Sequence, residues 1–105
     1  MSALADNWLT RIRAVLAAER MAIRTLDAKT VEEAAQVKAD LLAELTGTNA
    51  TDEDKKALHE ALAQVREELK RNLVLLAHAR DTVREAINRA RPKGTLPGAR
   101  LSIQL

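Results

Sequence analysis

The sequence predicts an all-α fold. The expected architecture is an elongated antiparallel helical hairpin or bundle of three helices, over about residues 4–26, 31–46 and 52–91, with a flexible C-terminal tail. Three observations predict it. Ala (20 residues) and Leu (16) dominate, Phe and Tyr are absent, and Trp8 is the only aromatic, a composition of helix formers with few strand formers. Residues 52–91 contain neither Pro nor Gly, and residues 4–46 are equally free of breakers. Apolar residues recur three and four apart along both stretches, the spacing of a helix seam. Two arms of about forty residues, each ~60 Å long, would be joined by the short polar segment Gly47-Thr48-Asn49-Ala50-Thr51. At 105 residues the chain holds one domain at most, assigned to residues 1–91, with 92–105 as a Pro- and Gly-containing tail.

The first helix carries Leu9, Ile12, Leu16, Ile23 and Leu26, and Glu19 occupies the slot between Leu16 and Ile23. The pattern loosens over Leu26-Asp27-Ala28-Lys29. Thr30 and Glu33 have capping-box spacing, which starts a second helix near Val31 and bends or breaks the first arm there. That second helix continues with Val31, Ala34, Leu41 and Leu45, and Lys38 fills the slot between Ala34 and Leu41. Gly47 suits a left-handed position just past its end. Thr51 with Asp54 caps the third helix, and Asp52, Glu53 and Asp54 set negative charge at its positive end. Its stripe is Leu58, Leu62, Val65, Leu69, Leu76, Val83, Ala86 and Ala90, with Asn72 in the one polar slot. Pro92 stops the helix, and Lys93-Gly94-Thr95-Leu96-Pro97-Gly98 reads as a linker. The end, Arg100 to Leu105, alternates like a short strand or docking peptide but is too short to be a strand by itself.

Glu19, Lys38 and Asn72 thus form a structural polar seam in otherwise apolar slots. In a hairpin turning near residue 50, residues whose numbers sum to about 100 lie at similar heights. Glu19 is then level with Arg80 or Arg84, and an ion pair there would offset the cost of burying either charge. Asn72 would face the break between the first two helices and bond backbone groups freed around Asp27 to Thr30. All three are expected to fix register and bend and to play no part in catalysis.

Composition narrows the function classes. The absence of cysteine rules out disulfides and fits a reducing compartment. The first residues lack the basic-then-apolar pattern of a signal peptide. The longest apolar run, Leu73 to Ala77, falls far short of the ~20 residues of a membrane span. A soluble cytoplasmic protein without membrane insertion is expected. His59 and His78 are too far apart to share one helical face and match no metal-ligand spacing, so no metal is expected. No glycine-rich phosphate loop exists, and Ser2 and Ser102 lie in termini expected to be mobile. No catalytic residue and no cofactor are assigned. Among enzymes, an all-helical chorismate mutase type is the alternative, since clustered Arg and Lys bind dicarboxylates, but here the Arg residues fall beside the seam.

The net charge is +2, unevenly placed. Residues 70–105 carry eight basic side chains against Asp81 and Glu85. Such an end suits an acidic partner, a membrane surface or nucleic acid, or is a solvated face with cations near a helix C-terminus. Nucleic acid is disfavoured by the missing aromatic platforms and the interleaved acids. With Leu76 at the centre of the third stripe and ~100° per residue, Leu69, Val83 and Ile87 fall close to it. Leu73 lies at a margin, Leu75 about 100° away and Val74 nearly opposite. One partnering arm cannot cover Leu73, Val74, Leu75 and Ala77 together, so a third helix, a second subunit or a docked partner must.

An ordered set of residues also resembles a known family. It runs Leu16-x-x-Glu19 and Leu26-Asp27, then Lys38 with Leu41 and Leu42, then Glu68-Leu69-x-x-Asn72 and Leu75-Leu76-x-x-Ala79. Over roughly residues 8–90 the chain is similar to the FlgN-like flagellar export chaperones, small helical cytoplasmic proteins. The end Leu101-Ser-Ile-Gln-Leu is similar to some members' ends, whereas the short tail after Pro92 departs from longer-tailed members. The resemblance implies binding to the helical ends of flagellar hook-associated (hook-filament junction) proteins, which are kept unpolymerised and delivered to the export apparatus. It implies a partner-binding site on the C-terminal helix, at Leu73, Leu76, Ala77, Arg80, Val83, Arg84 and Ile87. A homodimer that hides this face is compatible with that role. The alternative is a structural, self-associating coiled-coil protein with no client.

Overall fold

The computed structural model describes residues 2–47 and 49–90, almost all of them helical. The helices are α1 (Ala3–Arg24), α2 (Ala28–Gly47) and α3 (Asp52–Ala90). The all-α, three-helix expectation holds. The third helix starts at Asp52 as expected and the other boundaries lie within three residues of expectation, but the path of the chain differs from a hairpin of two long arms.

The reversal lies between α1 and α2. Thr25 ends α1, Leu26 N–H donates to Ile23 O (3.2 Å), and Asp27 N–H donates to Ala22 O (2.9 Å). These two bonds make a Schellman motif, which needs a left-handed residue at its turn. That residue is Leu26, with φ 55°. Asp27 then caps α2, since its carboxylate accepts from the Thr30 N–H (3.2 Å) and from Thr30 Oγ1 (2.6 Å). Thr30 is therefore inside the helix and Asp27 takes the capping role expected of Thr30, because its two oxygens serve two donors at once. Gly47 also departs from expectation. It is the last residue of α2, without a left-handed φ, and a Cβ added there would meet nothing within 4 Å.

Cross-helix bonds fix the directions. Trp8 Nε1 donates to Leu41 O (2.7 Å), Arg11 grips Glu44 with two nitrogens (3.0 and 3.1 Å), and Lys38 reaches Glu19. The first half of α1 thus meets the end of α2 (Arg11 with Glu44) and its second half meets an earlier part (Glu19 with Lys38), so this pair is antiparallel. Ser2 Oγ donates to Asp54 Oδ1 (2.6 Å), Arg13 meets Glu68 (3.8 Å), and Asn72 Nδ2 donates to Leu16 O (2.9 Å). Numbers rise on both α1 and α3, so that pair is parallel. The topology is up-down-up, with α1 packed against both neighbours. The expected level pairing of Glu19 with Arg80 or Arg84 does not occur, because the turn at 25–27 folds the first arm back on itself.

The core runs along the shared length. Ala5, Trp8, Ile12 and Leu16 of α1 meet Leu41 of α2 and Leu58, Ala61 and Val65 of α3. The single ring of Trp8 is almost fully buried, with its indole N–H satisfied by the Leu41 carbonyl. Such satisfaction is what allows a Trp to be sealed in an apolar core. Ser2, expected in a mobile terminus, is the buried N-cap of α1, accepting from Ala5 N–H (3.2 Å) while bonding Asp54. The tail 92–105, including its linker and docking-peptide reading, lies outside the described residues.

Candidate protein-docking face on the third helix

The polar seam fixes where α3 sits. Glu19, only 1% exposed, receives Lys38 Nζ on both oxygens (2.8 and 3.1 Å) and Asn72 Nδ2 on Oε1 (3.0 Å). Asn72, equally buried, divides its amide protons between Glu19 and the Leu16 carbonyl, and its oxygen accepts from Arg20 Nε (3.4 Å). The three polar slots, one per helix, converge on one buried cluster. Asn72 does not serve the backbone at Asp27 to Thr30, as its sequence position suggested. Arg20 joins the cluster and also approaches Glu68 (3.9 Å). Its participation was not signalled, since it is off the apolar stripe. A buried carboxylate held by an ammonium and an amide satisfies every charged group in place, which favours register over raw stability.

Above this cluster the supporting helices end. α1 stops at Arg24 and α2 starts at Ala28, while α3 runs on to Ala90. Leu75, Leu76 and Ala79 are still half-buried, and every residue from Arg80 to Ala90 is exposed. This overhang is about 16 Å long. The bundle-facing direction of α3 is set by Leu58, Ala61, Val65 and Asn72. Relative to Asn72, Leu76 is rotated by ~40°, Val83 by ~20° and Ile87 by ~60°, so the core stripe continues into the overhang without a core to face. The centre of the stripe is Asn72 instead of Leu76, which explains why Leu75 and Leu76 are half-buried on either side of it.

Leu73 (60% exposed), Val83 (40%) and Ile87 (43%) are open to solvent, and Ala77, Arg80 and Arg84 are exposed with them. Leu76 is partly covered by the bundle. Val83 and Ile87 share the stripe with Leu76, whereas Leu73, Arg80 and Arg84 flank it at ~80–120° and Ala77 is further round. Among the described residues nothing seals Leu73, Val83 and Ile87.

Charge borders the stripe. Arg84 pairs with Asp81 (3.7 Å) and Arg89 with Glu85 (3.5 Å), both pairs within α3 and well exposed. Arg80 has no ion-pair partner among the described residues. In these residues no group of three His, Asp or Glu side chains is placed to hold a metal ion. No described helix is long and apolar enough to cross a membrane. In comparisons with known proteins, no family model, no curated protein and no solved structure matches this chain.

Proposed function

We propose that this protein is a chaperone or adaptor that holds another polypeptide by completing a helical bundle with it. The observation carrying this reading is the overhang of α3, where the stripe that forms the core below Asn72 continues uncovered through Val83 and Ile87. A client's amphipathic helix laid along it would bury apolar surface that neither protein covers alone. At ~25 cal/mol per Å² the gross gain is substantial, although ordering of the client offsets part of it. Such binding uses no cofactor and no catalytic side chain.

The resemblance to FlgN-like export chaperones supports a more specific form of the same reading. In that form the clients are the helical ends of hook-associated proteins, held unpolymerised in the cytoplasm until export. Co-purification from the source cell followed by mass spectrometry tests it. Recovery of a filament-junction protein, lost with Val83→Asp, supports the proposal, and recovery of copies of this chain alone points to the self-associating alternative.

A further inference from the structure

Resting on that docking reading, we infer that the overhang of α3 selects amphipathic helices with acidic flanks, and that a second copy of this chain is a poor occupant. Both borders of the uncovered stripe are basic. Arg80 and Arg84 lie ~80° and ~120° from the Asn72 direction on one side, and Arg89 lies ~100° away on the other. The two acids of this stretch are already engaged, Asp81 with Arg84 and Glu85 with Arg89. Arg80 is exposed and has no ion-pair partner among the described residues.

A helix docked against Val83 and Ile87 brings its own flanking positions beside these guanidinium groups. Carboxylates at those positions meet the unpaired Arg80 and the exposed, only loosely paired Arg84 and Arg89, whereas lysines meet like charge. The same reasoning disfavours self-pairing. The overhang, residues 80–90, carries Arg80, Arg84 and Arg89 against Asp81 and Glu85, a net of +1, so two copies face each other with the same sign. Among the described residues, the exposed helical stretch free of the bundle is about three turns long, too short to bury the area of a stable dimer by pairing with its twin. A longer client helix can extend past Leu76 onto the half-buried Leu75 and Leu76 and gain more area.

The test uses the full chain and two labelled peptides of about six helical turns with one shared Leu/Ala stripe, flanked by Glu in one and by Lys in the other. Fluorescence anisotropy at about 50 mM salt is expected to show the acidic peptide binding about tenfold more tightly, with the gap shrinking to under about twofold at ~500 mM. The double variant Arg80→Glu with Arg84→Glu, both at exposed positions, is expected to reverse the preference. Equal affinities at low salt, abolished together by Val83→Asp, would overturn the charge selection while leaving the docking reading intact. Failure of both peptides to bind would remove both readings. A dimer of the free chain in sedimentation, dissolved by Val83→Asp, would make a second copy the occupant and overturn the inference.

Discussion

Asp27 ends one helix with its backbone and starts the next with its side chain. The two hydrogen bonds from Thr30 hold its carboxyl below the usual carboxylate range. A lowered folded-state pKa contributes stability that is present above the unfolded pKa and is lost as pH falls through the folded value. Thermal unfolding followed by circular dichroism should therefore show a smaller loss of Tm below about pH 4 in Asp27→Asn, which keeps the cap but cannot titrate, than in the native chain. Beside it, Leu26 pays the cost of a left-handed backbone that glycine would adopt freely. Leu26→Gly is expected to stabilise the fold by up to ~1 kcal/mol, because its side chain is more than half exposed and loses little packing. Gly47, helical and with open space at its Cβ, is the converse position. Gly47→Ala should gain a few tenths to ~1 kcal/mol in chemical denaturation. Destabilisation by either substitution would contradict the backbone described for these two residues.

At the level of the elements, α3 is two structures in one helix. From Leu58 to Asn72 it is a core strut, and from Arg80 it is an exposed rod with i,i+3 and i,i+4 pairs of its own. Short pairs of this kind contribute only a few tenths of a kcal/mol each. Hydrogen exchange is therefore expected to be slow from Leu58 to Asn72 and fast from Arg80 to Ala90. Uniform protection along all of α3 would show that something already covers the overhang. The helices themselves were legible, because unbroken apolar periodicity and the Thr51-Asp54 start are local signals. Asn72, Lys38 and Glu19 were also legible as polar slots. What stayed hidden was which slots meet. Spacing reveals that a slot is polar, not which neighbour faces it, and the decisive turn was disguised by Leu26 in a place where glycine usually announces a reversal. Gly47 gave the opposite false signal.

At the scale of the whole molecule, the described residues form an up-down-up bundle locked by a buried polar cluster, with a rod projecting from one end to give a longest dimension of 63 Å. Glu19→Ala leaves Lys38 and Asn72 without their shared acceptor, so it is expected to cost ~3 kcal/mol or more in denaturant unfolding. Replacing all three together, as Glu19→Met, Lys38→Met and Asn72→Leu, should leave stability unchanged or raised, since the buried ions are then removed with their desolvation cost. A triple variant as unstable as Glu19→Ala would mean that the cluster stabilises the fold outright and does more than set its register. The projecting rod is the feature on which function depends, and Val83 is its test position, central in the uncovered stripe and 40% exposed. The most direct measurement is the unfolding free energy and the client-helix affinity of Val83→Asp, taken side by side. A stability within about 0.5 kcal/mol of the native chain, together with loss of binding, is the predicted result. A fall of several kcal/mol would place Val83 in a core, and undiminished binding would place the docking face elsewhere.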